Sequence, residues 1–322
     1  MRAPLAVLTA WMGDIFGEVP PVKTARPRGA RARPTLWLAR RASLVFALLL
    51  GTGLTAAPQQ PTFSSRVEAV RVDVLVTDRG KAVTGLRPED FEVKDEGVLQ
   101  EVDLVKLEQL PLNVILGLDV SESVTGERLE HLQSAGSSLL RGLQKDDRAA
   151  LLTFSHAVRL RQELTSDIPL IQEMLADVVP SGQTSLVDGA YGAIALAGSD
   201  VGRSLLIVFS DGVDTASFLT TDVVLQSARR SEVVMYGVAM RSRISPRFLK
   251  ELGELTGGSL FEIESTKDLS QTFLRILAEF RQRYLLSFQP RGVSTTGWHR
   301  LEVRVKGRRV TVNARAGYQA GR

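Results

Sequence analysis

Leu112-Asn-Val-Ile-Leu-Gly-Leu-Asp119 decides the fold: a nearly continuous apolar run that ends in a carboxylate. A strand with one wet face alternates, whereas a strand covered on both faces of a parallel sheet reads as unbroken Val, Ile and Leu. The pattern recurs at Arg148-Ala-Ala-Leu-Leu-Thr-Phe154 and at Ser204-Leu-Leu-Ile-Val-Phe-Ser210, the second run leading straight into Asp211. Ala157-Val-Arg-Leu160 follows Phe154 closely enough to return as a hairpin. Helical periodicity covers Glu127 to Leu143, Ile168 to Val178, Ser185 to Ala197, Asp222 to Arg230, Pro246 to Leu255 and Leu269 to Arg283, with further strands at Val233 to Ala239 and Gly258 to Ile263. Strands alternating with helices predict an α/β domain over residues 112–283, with an open, doubly wound, mostly parallel sheet.

The flanks change period. Val67 to Thr77 has apolar residues at alternate positions, Asp78-Arg79-Gly80 supplies a turn, and Phe91 to Gly97 and Val102 to Lys106 read as short strands. These make an N-terminal β segment, residues 58–111, entered through a short linker at Pro58 to Pro61. A C-terminal β segment, residues 284–322, carries Tyr284 to Phe288, Trp298 to Val305 and Arg309 to Arg315, with Gly307 expected as the hairpin turn between the last two. Three strands bury little alone. The two flanks are therefore expected to form one β-sandwich with the α/β domain inserted between them; two separate small β modules are the alternative. Trp298 and Phe288 read as sandwich core.

Composition narrows the function. Among 322 residues there is no cysteine, which excludes disulfides, thiolate metal sites, cysteine nucleophiles and a lipid-anchoring cysteine. The pI of about 9.5 comes from the first 41 residues, where eight Lys and Arg face two acids. The remainder is close to neutral, so the charge gives no support to a nucleic-acid partner. Arg40 and Arg41, the apolar Leu44 to Leu50 and the small residues Gly51 to Ala57 have the order of a secretory signal peptide. Residues 1–57 are accordingly expected to be a leader, cleaved near Ala56 or Ala57, with an uncleaved anchor as the alternative. The apolar run is short for a membrane span, and none is expected in the mature chain, which reads as exported to the periplasm or beyond the cell. Residues 1–35 are a long preface for such a leader, and a true start near Leu36 would account for them.

In an open α/β sheet, functional groups gather at the carboxyl ends of the strands, where the strand order reverses. Asp119-Val-Ser121-Glu-Ser123 leaves one such end, Ser210-Asp211-Gly212 leaves another, and Gly182-Gln-Thr184-Ser-Leu-Val-Asp188 opens a helix between them. Asp119, Ser121, Ser123, Thr184 and Asp211 offer oxygen ligands alone, a set suited to a hard divalent cation. Neutral hydroxyls leave much of the cation's charge uncancelled, so it remains electrophilic toward an outside carboxylate. The plainer reading makes Ser121, Ser123 and Thr184 helix caps and Asp211 a turn former. Asp188 and Asp214 read as loop or helix stabilisers, Glu122 as a solvated acid, and His131, His156 and His299 as surface or edge residues.

These motifs, in this order over about residues 112–283, resemble the von Willebrand factor A domains, including those inserted in integrins. The resemblance implies a metal-ion-dependent adhesion site holding Mg2+ or Mn2+ on Asp119, Ser121, Ser123, Thr184 and Asp211. It implies sheet order 3-2-1-4-5-6 with one antiparallel edge strand, and places Asp119 and Asp211 on adjacent central strands. Arg87-Pro-Glu-Asp-Phe91 and Arg315-Ala-Gly-Tyr318 resemble a group of bacterial exported proteins related to these domains, and the N-terminal part is also Ig-like. The expectation is a non-enzymatic adhesion protein whose metal takes an acidic residue of a protein partner. The rivals are a Mg2+-dependent phosphotransferase or hydrolase, and an envelope module in which the metal only stabilises the fold. A Ser121, His156, Asp211 hydrolase lacks a nucleophile elbow. An aspartyl-phosphate enzyme wants a second carboxylate where Ser121 stands. No Gly-rich phosphate loop follows the first strand.

Overall fold

The computed structural model describes residues 69–105, 110–198, 202–241 and 246–321; the leader and the Pro58 to Pro61 linker lie outside the described residues. The N-terminal flank contributes β1 (Val70–Asp78), β2 (Lys81–Ala82), β3 (Phe91–Asp95), β4 (Val98–Gln100) and β5 (Asp103–Val105). The middle runs β6 (Leu112–Asp119), α1 (Glu127–Arg141), β7 (Arg148–Phe154), β8 (Val158–Thr165), α2 (Ile168–Ala176), α3 (Leu186–Ala197), β9 (Arg203–Ser210), α4 (Thr221–Arg230), β10 (Val234–Met240), α5 (Arg247–Thr256), β11 (Ser259–Ile263) and α6 (Leu269–Arg281). The tail adds β12 (Tyr284–Phe288), β13 (Gly297–Val305), β14 (Thr311–Asn313) and β15 (Gly317–Ala320).

The unbroken apolar runs become the centre of a six-stranded sheet, ordered β11-β10-β9-β6-β7-β8. Numbered within the domain, this is the order 3-2-1-4-5-6 read from β8. Every residue of β6 and β9 is buried, which is why neither run alternates. All neighbours are parallel except β7 and β8, and β8, at the edge, is half exposed. One face packs Leu132 and Leu139 of α1, Ile171 of α2 and Phe273 of α6. The other packs Ala190 of α3, Val224 of α4 and Leu249 of α5. From β6 the chain moves outward to β7, then returns to β9 on the other side. The reversal therefore falls between β6 and β9, and at their carboxyl ends an open α/β sheet of this kind gathers its functional groups.

The flanks combine as expected. β1 pairs with β12 and β14, and β12 with β5, with β2 added on β1; the opposing sheet runs β15-β13-β3-β4. Val72, Val74, Phe91, Val93, Leu286 and Phe288 fill the space between them. Each sheet thus draws strands from both ends of the chain. Two details differ from the sequence reading. Gly307, with φ +67°, turns the chain from one sheet to the other instead of closing a hairpin. β13 already has β3 and β15 on its two edges, so β14 goes to β1. Trp298 is only half buried and lies under the Arg229 guanidinium, 5.4 Å from the ring centre.

His299 is a third correction. It is 1% exposed, and its Nδ1 lies 2.8 Å from Asp95 Oδ1. The Tyr318 hydroxyl donates to Asp95 Oδ2 at 2.6 Å, and burial together with the Asp95 carboxylate pushes that phenol upward. A buried carboxylate must be hydrogen-bonded, and β3, β13 and β15 each supply one member of the group. None of the described helices is long and apolar enough to cross a membrane.

Candidate metal centre

Asp119 is the last residue of β6 and is 0% exposed. Both its oxygens are held by neighbours at the strand ends. Oδ1 accepts the Ser121 amide at 2.9 Å, and Oδ2 accepts the hydroxyl of Ser210, the last residue of β9, at 2.7 Å. The Ser121 and Ser123 hydroxyl oxygens lie 3.1 Å apart. Ser123 Oγ donates to Asp211 Oδ1 at 2.6 Å. Asp119, Ser121, Ser123 and Asp211 therefore form one connected patch of oxygens.

Thr184 is 6% exposed. Its hydroxyl lies against Gly212, 3.6 Å from where a side-chain carbon on that glycine would sit, which places it beside Asp211. Three loops are laced together around the patch. Glu122 N–H donates to Gly182 O and Ser181 N–H to Val120 O, each at 2.9 Å, while Thr215 and Ala216 N–H donate to Thr184 O at 2.9 and 3.0 Å. Asp188 accepts the amides of Phe218 and Leu219, each at 2.9 Å. Asp214 accepts Val187 N–H at 3.3 Å and the Ser217 hydroxyl. Both acids thus hold the loop after β9, and Glu122 is exposed.

The capping alternative does not describe these hydroxyls. Helix α1 starts after Gly126 with no side-chain cap, and α3 starts after Ser185, again with no side-chain cap bond. His156 bonds Ser155, at 3.4 Å, rather than Ser121. Among the described residues no place gathers three or more His, Asp or Glu in metal-binding range; this patch has two carboxylates, with hydroxyls between them.

The donor chemistry fits a hard divalent cation. Burial raises the Asp119 carboxyl above its ordinary value and the nearby Asp211 charge adds to the effect, while the bonds from Ser210 and Ser121 oppose it. A cation placed among these oxygens reverses that penalty, because it favours the ionised forms of both acids. A positive group already stands there. Arg128, in the first turn of α1 with 53% of its side chain exposed, donates to Asp211 Oδ2 at 2.9 Å and to Ser123 O at 3.3 Å. Sequence reading missed Ser210 and Arg128 as parts of the site. Ser210 adjoins Asp211, but its partner lies on another strand. Arg128 lies 83 residues from Asp211, and nothing in its local sequence marks it.

The von Willebrand factor type A domain model matches residues 113–275, just over half of the chain. Inter-alpha-trypsin inhibitor heavy chain H2 of Mus musculus is 26% identical over 180 residues, covering 51% of this chain and 19% of that protein. Heavy chain H6 of Homo sapiens is 23% identical over 223 residues, covering 61% and 17%. The chain thus spans less than a fifth of the length of these curated relatives. Among solved structures, proximal thread matrix protein 1 from the mussel byssus, with a zinc-occupied MIDAS motif, is 16% identical, covers 54% of this chain and 46% of its own, and has a TM-score of 0.48. The vWF domain of the type V pili tip protein Mfa5 from Porphyromonas gingivalis is 13% identical, with coverages of 58% and 98% and a TM-score of 0.45. With a matched segment that contains Asp119, Ser121, Ser123, Thr184 and Asp211, the chain belongs to the von Willebrand factor type A domain family.

Proposed function

We propose that this chain is a non-enzymatic, exported adhesion module. In this reading Asp119, Ser121, Ser123, Thr184 and Asp211 hold Mg2+ or Mn2+, and an acidic residue of a partner protein completes the site. The supporting observation is the hydroxyl-linked pair of carboxylates at the carboxyl ends of β6 and β9. Domains of this family bind a divalent metal at such a site and typically engage protein partners. The bound cation supplies an electrophile for an incoming carboxylate oxygen. The chain's own residues do the rest. Asp119 and Asp211 provide the negative charge, the three hydroxyls provide neutral oxygens, and the laced loops keep these groups in register before any partner arrives. Residues 1–57 are assigned as the export leader, and residues 58–111 and 284–322 as the sandwich that carries the domain. A pull-down from envelope extract tests the reading: the partner is recovered in Mg2+ and lost in EDTA. Equal recovery in both overturns it.

Arg128 has a testable part in this site. Its guanidinium occupies one oxygen of Asp211, so it competes with the cation for that carboxylate and repels it. Removing a partly exposed charge of this kind is worth about 1 kcal/mol. Arg128→Gln is expected to tighten Mg2+ binding about fivefold by isothermal titration. Weaker binding in the variant would make Arg128 a support of the site instead.

A further inference from the structure

Three large apolar side chains stand exposed on the loops that surround the proposed metal centre. Val179 is 77% exposed, Val213 67% and Phe218 93%. Val179 precedes the stretch in which Ser181 and Gly182 bond the β6–α1 loop. Val213 comes two residues after Asp211. Phe218 belongs to the loop that Asp188 clamps.

The exposure of Phe218 is built in. Its own amide and that of Leu219 are both fixed on the Asp188 carboxylate, and Leu219 packs into the core beneath α3 and α4. The backbone is therefore fixed at both residues, and from it the Phe218 side chain stands 93% exposed. An isolated exposed valine needs no explanation. A clamped, exposed phenylalanine with two valines around a polar centre has the composition of a binding surface: rigid apolar anchors that lose little entropy on contact.

The charges around the centre narrow the partner further. Arg128 presents a half-exposed guanidinium on one side, so a single carboxylate meets two positive groups, the cation and Arg128. Glu122, exposed on the same loop as Ser121 and Ser123, repels additional acids. We infer that this rim selects a protein segment carrying one Asp or Glu flanked by aromatic or branched aliphatic side chains, and disfavours acidic runs. This inference rests on the metal-dependent carboxylate capture proposed above.

The test is panning of random linear peptides displayed on phage against the full chain in Mg2+, with elution by EDTA. The expected result is enrichment of peptides with one acid and an aromatic or aliphatic neighbour within a few positions. Synthetic versions should bind Phe218→Ser at least tenfold more weakly, the loss that marks an interface anchor. The Mg2+-induced rise in melting temperature should be unchanged in that variant, because Phe218 is no ligand. Val213→Ser, altered at another exposed position, should weaken binding in the same direction. Enriched peptides with acids but no apolar bias, or equal binding by Phe218→Ser, overturn the rim assignment and leave carboxylate capture standing. A normal Mg2+ melting shift with no EDTA-eluted peptide at all overturns both.

Discussion

Asp119→Asn is expected to erase the Mg2+-dependent rise in melting temperature while leaving the melting temperature in EDTA at or above that of the unaltered protein. Burial raises the Asp119 carboxyl above its ordinary value. A carboxyl whose folded value lies above the unfolded one penalises the fold once pH passes the unfolded value, and at neutral pH that penalty is present. Asn removes the charge and keeps a carbonyl oxygen for the Ser121 amide, and the Ser210 hydroxyl can turn to accept from the new amide. The metal-free protein therefore loses nothing. Asp119→Ala is the poorer test, because it orphans Ser121 N–H and Ser210 Oγ at a cost of about 1–3 kcal/mol. With metal the sign reverses. At a hundred times the dissociation constant a bound ion stabilises by about 2.7 kcal/mol, roughly 5–10 °C for a chain of this size, and Asn forfeits all of it. Thermal melts in EDTA and in Mg2+ read both halves. A surviving Mg2+ shift in Asp119→Asn would remove Asp119 from the ligand set. A large drop in EDTA would mean that the carboxylate is structural.

How much of this was legible in the sequence depended on whether the signal was local. Burial on both faces leaves a one-dimensional mark, so Leu112 to Asp119 and Ser204 to Ser210 announced central strands without reference to anything else. The motif positions were legible for a related reason. All but Thr184, which stands just before α3, sit where β6 or β9 stops, and the doubly wound topology makes those strand ends converge whatever lies between them. Pairing in the flanks was less legible. Trp298 to Val305 and Arg309 to Arg315 alternate alike, and alternation does not say which sheet a strand joins. That choice was made by β3 and β15 occupying both edges of β13. β4, three residues long, and β15, four, were too short to show a period.

Polar groups fared worst, because their environment comes from remote partners. His299 has the neighbours of a surface strand residue in sequence, yet it is buried against Asp95, 204 residues away. Arg128 reads as an ordinary first-turn residue, and its place beside Asp211 follows from the two loops meeting. Val179, Val213 and Phe218 carry no motif. Only their exposure on two of the loops held in register, Val179 before α3 and Val213 and Phe218 after β9, makes them notable.

Arg203→Ala is expected to destabilise the whole chain by about 3–5 kcal/mol in urea denaturation, a large part of a typical domain's net stability of about 5–15 kcal/mol. Arg203 opens β9, and its guanidinium is bound to the Asp73 carboxylate of β1, with Nε to Oδ1 at 2.9 Å. The two side chains are 5% and 11% exposed, and the Phe280 ring lies 4.7 Å below the guanidinium. Here the sandwich is fastened to the amino end of the central sheet. Nearby Arg283, fully buried, donates to Tyr236 Oη and to the Asp73 carbonyl. Truncating Arg203 leaves a buried carboxylate without its counter-ion, and that desolvation sets the size of the loss. The same reasoning requires strong non-additivity. Removing both charges together, as Arg203→Met with Asp73→Leu, should recover most of the stability, since a well-packed apolar pair can replace a buried ion pair at little cost. A loss below about 1 kcal/mol for the single variant, or a double variant equal to the sum of its parts, would show the pair to be solvent-screened. The proposed metal centre lies at the other end of the same strand, where Ser210 holds Asp119. Under native conditions Mg2+ affinity should therefore be unchanged in Arg203→Ala, which separates the junction that holds the domain in place from the residues that bind.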